Sequence, residues 1–148
     1  MGIRESLNVL ERVSEVSMLA GINGQIDEQR MVFAMGFGLG EGRRQVVYVR
    51  DATQRGNRKI VTLFSPCLTV KKGLFGGFSK EKALELLRRN ENVLFARYGI
   101  WDSKDETMVV ASMDHMLETL DPEEYKASAL HVAIAADMYE REHGQDNF

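Results

Sequence analysis

The sequence predicts an α+β domain in which helices pack on an antiparallel sheet of five strands. Three observations support this class. Helical and strand-like patterns follow one another in the order α-β-β-β-α-β-β-α. The turns between consecutive strands are short enough for antiparallel neighbours. Helices lie at the ends and in the middle of the chain, unlike those of a doubly wound parallel fold. No repeat, low-complexity tract or linker interrupts the sequence, so residues 1–148 are expected to form a single domain.

The first element is predicted to be an amphipathic helix from Ile3 to about Ala20, ended by Gly21. Its apolar residues recur at helical spacing on two different faces. Ile3, Leu7 and Leu10 form one set, and Val9, Val13, Val16 and Ala20 form the other. One face can pack on the sheet, and the second is then left for a partner. Val9, Val13 and Val16 are therefore predicted partner-binding residues, with burial in the core as the alternative.

Three strand-like segments follow the helix. Residues 29–39 alternate bulky and small side chains, which indicates a strand with one buried face. Residues 44–52 contain a β-branched run, and residues 58–70 form a third apolar segment. Pro66 lies inside that third segment and cannot donate to a strand ladder, so a bulge or a sheet edge is expected there.

Alternating glycines mark the first of these strands and its turn, at Gly36, Gly38, Gly40 and Gly42. The spacing does not fit the dinucleotide-binding fingerprint, and no helix follows to receive a phosphate, so nucleotide binding is not predicted. A strand face without side chains admits a helix or another backbone at close range. Close packing of an internal helix is the favoured interpretation, and a groove for a partner segment is the alternative.

A glycine-rich loop with apolar side chains follows over residues 71–78. Its candidate partner-binding residues are Leu74, Phe75 and Phe78. Burial in the core is again the alternative for them. Ser79 is the expected N-cap of a short helix over residues 80–90, and the basic end of this helix suits the helix dipole.

The remaining elements are a hairpin and a long helix. Residues 93–101 and 107–113 are predicted to pair as the second hairpin. Asp121 as N-cap and Pro122 at the first helical position start the last helix, which is expected to run to about residue 142. Its inward face is rich in alanine, which lets a helix lie close to a sheet.

Composition and charge narrow the function classes. The formal net charge is −3, which argues weakly against nucleic acid as a partner. Six basic residues nevertheless cluster around the first hairpin: Arg43, Arg44, Arg50, Arg55, Arg58 and Lys59. A solvated, charged sheet edge is the favoured interpretation of this cluster. The sequence has no secretory signal pattern and no apolar run long enough to span a bilayer, so a cytoplasmic protein is expected.

No constellation of residues predicts an active site. Cys67 is the only cysteine, and the three histidines show no metal-ligand spacing with it or with one another. No catalytic residue, metal or cofactor is therefore predicted. The alternative is a small-ligand-binding domain or an enzyme that uses Cys67 and His115, with Arg97 nearby. That alternative requires polar groups to converge in a closed pocket.

The order of elements resembles the type III secretion chaperone-like fold and, within it, the YbjN-like group. Three segments carry the resemblance. They are the strand entry Asn90–Tyr98, the strand Thr107–Ser112 and the start of the last helix, Leu120–Tyr125. The resemblance implies a homodimer that binds an extended segment of a partner protein, partly by strand addition at sheet edges. The function it implies is therefore that of a non-catalytic chaperone-like or regulatory adaptor.

Overall fold

The computed structural model describes residues 2–54, 58–73 and 77–143. These residues form three α-helices and six strands, so the predicted α+β class is confirmed and the predicted number of five strands is wrong. In chain order the elements are α1 (Ile3–Leu19), β1 (Gly24–Asp27), β2 (Val32–Gly38), β3 (Arg44–Asp51), β4 (Ile60–Lys71), α2 (Lys80–Arg89), β5 (Arg97–Asp102), β6 (Glu106–Met116) and α3 (Pro122–Glu142).

The additional strand, β1, pairs antiparallel with β2, with Gly24 opposite Met35 and Asp27 opposite Val32. Its sequence GQID is too short and too polar to show an alternating pattern, so the sequence predicts no strand there. Gly24 has a steric role in this hairpin. A Cβ atom there would lie 2.5 Å from Cζ of Phe33 and 2.7 Å from the carbonyl oxygen of Ala34. Only glycine lets β1 lie this close to β2.

The strands form one antiparallel sheet in the order β1-β2-β3-β4-β6-β5. The two longest strands, β4 and β6, are neighbours, and they pair along their whole length. Their register shifts between Pro66 and Leu68, which confirms the predicted bulge at the proline. Cys67 is the extra residue of this bulge, and it is completely buried in the hydrophobic core.

Helices α1 and α3 pack on one face of the sheet. Ala129, Ala133 and Ala136 on α3 are completely buried, and their small side chains let the helix lie close to the strands. The predicted alanine-rich inward face is therefore confirmed. Helix α2 lies beside the edge strand β5 and contributes Leu86 to the same core.

The valines of α1 belong to this core. Val9, Val13 and Val16 are 1%, 0% and 7% exposed, so their side chains cannot contact a partner in this conformation. Their assignment as partner-binding residues is therefore corrected to the core alternative. The reason is that β1, β2 and β3 together extend the sheet far enough to cover the valine face of the helix.

Capping residues position the two later helices as the sequence predicts. The hydroxyl of Ser79 accepts a hydrogen bond from the backbone N–H of Lys82 at 3.2 Å. The carboxylate of Asp121 accepts one from the N–H of Glu124 at 2.8 Å, and Pro122 is the first residue of α3. Among the residues that the structure describes, no helix is both long and apolar enough to cross a membrane.

Candidate functional site

The face of the sheet opposite the helices carries the candidate site. On β3, Gln45, Val47 and Val49 are buried against the helices, so the alternate residues point to the other face. Cross-strand partners share a face, which extends the assignment to the remaining strands. The main side chains of this open face are Ala34, Gly36 and Gly38 on β2; Arg44, Val46, Tyr48 and Arg50 on β3; Thr62 and Phe64 on β4; Val110, Ser112 and Asp114 on β6; and Arg97, Gly99 and Trp101 on β5.

The small residues Ala34, Gly36 and Gly38 form a glycine furrow along β2. A Cβ atom on Gly36 would meet only Nη2 of Arg44, at 3.8 Å, and one on Gly38 would have no atom within 4 Å. Both glycines are exposed. No helix of the described residues packs on them, so the favoured prediction of an internal helix at this strand is wrong. The furrow is open space beside a flat strand backbone.

An aromatic ridge runs beside the furrow. The rings of Tyr48 and Phe64 lie 5.4 Å apart between centroids, and those of Phe64 and Trp101 lie 4.7 Å apart. The guanidinium group of Arg50 covers this ridge, at 4.2 Å from the Trp101 ring centroid and 5.8 Å from that of Phe64. Val110 on the same face is completely buried without belonging to the main core. The ridge is therefore a small apolar cluster of its own.

An open pocket of about 470 Å³ adjoins the ridge at the end of β3. Its lining includes the side chains of Arg50, Thr62, Trp101 and Asp114. The Thr62 hydroxyl donates a 2.5 Å hydrogen bond to the carboxylate of Asp114, which holds that acid in place. Arg50 and Trp101 each lie in both the ridge and the pocket, so a ligand in the pocket would contact the ridge.

Arg55 of the basic cluster around the first hairpin lies outside the described residues, and the cluster residues on β3 and in the turn before it divide between the two faces of the sheet. Arg43 points inward, where its Nε lies 2.6 Å from the carboxylate of Asp137 on α3, and its side chain is 17% exposed. Arg44 and Arg50 are exposed on the open face, and Arg97 on β5 joins them there. Within the described residues, none of these three guanidinium groups forms an ion pair. The interpretation of the cluster as solvated charge therefore applies to Arg44 and Arg50 and does not apply to Arg43.

The structure describes only one of the three candidate partner-binding residues in the glycine-rich loop. Leu74 and Phe75 lie outside the described residues. Phe78 is half-buried and packs against the core. The loop therefore adds no described side chain to the open face.

Cys67 and His115 do not come together. Burial raises the pKa of the Cys67 thiol far above its usual value, and the thiol contacts the carbonyl oxygen of Ser65. His115 lies opposite Val61, and Val61 is six residues from Cys67 along β4. At ~3.3 Å per residue, that separation is about 20 Å. Arg97 joins neither Cys67 nor His115, since its guanidinium group donates to the carbonyl oxygens of Val93 and Ala96 at the surface.

His115 instead contacts α3. Its Nε2 atom lies 2.7 Å from the hydroxyl of Ser128, and its Nδ1 atom lies 3.9 Å from the carboxylate of Glu124. Sequence reasoning missed this cluster, although Glu124 and Ser128 are one turn apart and share a helix face. The carboxylate of Glu124, the imidazole of His115 and the hydroxyl of Ser128 follow one another as the groups of a hydrolase triad do. Ser128 is completely buried, however, so a substrate cannot reach its hydroxyl. The cluster ties α3 to β6.

A second exposed apolar feature lies on the outer side of α3. Leu130, Ile134 and Met138 recur every four residues and are 38%, 39% and 53% exposed. The ring of Phe95, which is half exposed, contacts the ring of His131 at 4.8 Å between centroids. His131 and Ile134 are neighbours on the helix surface, so Phe95 widens the row. These four apolar residues are named the α3 stripe.

Across the described residues, no three side chains of His, Cys, Asp or Glu come close enough to hold a metal ion. Comparison with known proteins finds no family model that matches the chain and no curated protein that is significantly similar to it. The resemblance to the YbjN-like group therefore stays a prediction, and the function has to be argued from the geometry.

Proposed function

We propose that this protein is a non-catalytic, chaperone-like or adaptor module that binds an extended segment of a partner protein. The observation that carries the proposal is the open face, where a glycine furrow lies beside an aromatic ridge and no described helix covers either. Apolar rings on a surface contribute binding free energy when a partner removes them from water. The open face offers the partly exposed rings of Tyr48 and Trp101, together with arginines that form no ion pair among the described residues.

The shape of the face favours an extended segment over a globular partner. A furrow without side chains lets a backbone approach the strand closely, while the ridge beside it receives alternate side chains of the same segment. The sheet also ends in β1 and β5, each paired on one side only. The side chain of Asn90 already bonds the backbone N–H and carbonyl of Tyr98 on β5, so β1 is the edge better placed to receive a strand from a partner. Strand addition is the mode that the family resemblance implies.

The proposed functional form is a homodimer, and the α3 stripe supports it. Three partly exposed apolar side chains in a row on a helix, with Phe95 beside them, form an apolar surface that a partner could cover. A stripe of this kind is self-complementary in a symmetric dimer, where each helix packs on its partner's copy. The stripe lies on the helical side of the sheet, so dimerisation there leaves the open face free.

Selection from random 12-residue peptides displayed on phage tests partner binding. We expect enriched peptides to bind the wild-type protein and to lose at least about tenfold in affinity, or ~1.4 kcal/mol, for the double variant Gly36→Val, Gly38→Val. Gly2→Val is the matched control, because Gly2 has no atom within 4 Å of an added Cβ and lies outside the sheet. Enrichment of no peptide, or equal binding to the double variant, contradicts the proposal.

Sedimentation velocity tests the dimer. Ile134→Glu with Met138→Glu places charges in the α3 stripe and should convert the dimer to a monomer, since burying unpaired charges is costly. Lys104→Glu, which also changes the charge by two units but lies at an exposed position between β5 and β6, is the control and should leave the dimer intact. A wild-type protein that sediments as a monomer at micromolar concentration rejects the homodimer.

A second candidate function is small-ligand binding in the pocket beside Arg50. Its volume of about 470 Å³ is in the range of ligand sites, and one arginine and one held aspartate converge on it. Its openness to solvent disfavours this candidate relative to peptide binding. A thermal-shift screen of metabolites separates the two, because a ligand would raise Tm without needing the glycine furrow.

A further inference from the structure

We propose that the segment bound at the open face is acidic, with carboxylates that pair with Arg44 and Arg50 and are attracted by the charge of Arg97. This inference rests on the proposed function and adds the chemistry of the partner. Each of the three arginines is exposed on that face, and within the described ranges none is neutralised by an ion pair. An arginine guanidinium presents a planar fork of donors that matches a carboxylate, so the forks of Arg44 and Arg50 favour an acidic ligand. Arg97 donates to two backbone carbonyl oxygens and adds positive charge to the face.

The spacing of the arginines suits an extended chain. Arg44 and Arg50 lie at the two ends of the same strand, six residues apart. At ~3.3 Å per residue they are separated by about 20 Å, the span of six residues of an extended peptide. Arg44 also lies opposite Gly38, at one end of the glycine furrow. A peptide that runs in the furrow would therefore reach both arginines with side chains on the same side of its backbone.

Among the described residues no carboxylate forms an ion pair with the three arginines, although Asp114 lines the same pocket as Arg50. Asp114 accepts the hydroxyl of Thr62, and Glu106 lies at the far end of β6, opposite Lys71. Neither contacts the three arginines. The interior arginine, Arg43, shows the contrast, because it already has Asp137 at 2.6 Å. The formal net charge of the whole chain is −3.

A peptide fits this face better than a single-stranded nucleic acid does. Nucleic-acid platforms stack bases on free aromatic rings. Here Arg50 covers the Trp101 ring, and Phe64 is only 9% exposed beneath its neighbours. The ring faces are therefore largely occupied by the protein's own groups. The arginines and the furrow remain available, and these suit a carboxylate-bearing backbone.

The test uses the peptides enriched by phage display. We expect an excess of Asp and Glu over the unselected library. A labelled synthetic copy of the best peptide should bind with an affinity that falls at least about tenfold when its Asp and Glu become Asn and Gln. Arg50→Gln and Arg44→Gln should each weaken binding by about threefold to tenfold. Arg12→Gln is the matched control, because Arg12 is exposed on α1, away from the sheet's open face.

The outcomes separate the two proposals. Neutral or basic peptides that need the glycine furrow but not the arginines overturn the inference and leave the proposed function standing. Enrichment of no peptide overturns both. A 12-nucleotide oligothymidylate that binds more tightly than the peptide, and loses affinity in Arg50→Gln, overturns the acidic peptide in favour of nucleic acid. Circular dichroism of each variant confirms folding, and raising the salt concentration should weaken peptide binding.

Discussion

The guanidinium group of Arg50 lies 4.2 Å from the centroid of the Trp101 ring, although the two residues belong to strands that are not neighbours in the sheet. The arginine on β3 thereby covers the tryptophan of the edge strand β5. This contact links the aromatic ridge to the pocket on the open face. Trp101 is also the only tryptophan of the chain, so its fluorescence reports on this face alone.

Removal of the Arg50 side-chain charge should expose the tryptophan. We expect Arg50→Gln to shift the emission maximum of Trp101 to longer wavelength, because the ring loses its cover and meets water. The free energy of unfolding should fall by about 1 kcal/mol or less, as is usual for an exposed cation–π pair. Arg12→Gln should change neither quantity. An unchanged emission spectrum in Arg50→Gln would show that the arginine does not cover the ring in solution.

Two glycines of adjacent strands should respond in opposite ways to alanine. Gly24→Ala places a Cβ atom 2.5 Å from the Phe33 ring and 2.7 Å from a backbone oxygen, so we expect a loss of about 1–3 kcal/mol in unfolding free energy. Gly38→Ala meets no atom within 4 Å and should be neutral or slightly stabilising. Urea unfolding of both variants measures the difference. Equal losses would contradict the close approach of β1 to β2.

The contact between the inward-facing Arg43 and Asp137 should matter more than a surface pair. Asp137→Ala removes a nearly buried carboxylate from a partner at 2.6 Å, and we expect a loss of about 2 kcal/mol in unfolding free energy. Glu15→Ala breaks the Arg12–Glu15 pair, whose side chains are 62% and 66% exposed. Its effect should stay within about 0.5 kcal/mol. Chemical denaturation of both variants tests the contrast, and comparable effects would refute it.

Tyr98 should make the protein less stable at alkaline pH. Burial raises the pKa of its hydroxyl to about 12, and the hydroxyl donates to the carbonyl oxygen of Ala135 at 2.7 Å. The raised pKa means that the folded state keeps a proton that the unfolded chain loses near its usual pKa of ~10. The stabilisation by Tyr98 is therefore complete below pH ~10 and is lost as the pH rises towards 12.

Comparison with Tyr98→Phe isolates this contribution. At pH 8 the wild type should be more stable than the variant by about 1 kcal/mol, the usual value of one buried hydrogen bond. Between pH 10 and 12 that advantage should shrink, because ionisation of Tyr98 favours the unfolded wild-type chain. Urea unfolding at pH 8 and pH 11 measures it. An advantage that stays constant with pH would contradict the raised pKa.

The proposed function rests on the geometry of the open face, and the family resemblance, which no family model supports, stays a prediction. The resemblance implies a partner segment on a chaperone-like dimer. The open face supplies a furrow, a ridge and exposed arginines, none of which the predicted partner-binding residues included. The valines of α1 were assigned to a partner because their helix has two apolar faces, and the sheet covers one of those faces completely.

Interactions between residues close in sequence determine the helix starts, the bulge and the strand alternation of this protein. Ser79, Asp121 and Pro122 define helix starts, and Pro66 causes a bulge, because each acts on the backbone within a few residues. The alternation in β2 likewise showed that one face carries bulky side chains and the other glycines. These effects depend on local sterics and hydrogen bonding, so the sequence alone was enough to predict them.

Only the tertiary structure decided which faces are covered. The rings of Tyr48, Phe64 and Trp101 come from three strands, and no local pattern predicts that they meet. Strand β1 exists because β2 offers a backbone edge and Gly24 permits a close approach. Burial depends on long-range packing of the helices, which cover the bulky face of β2 and leave its glycine face open.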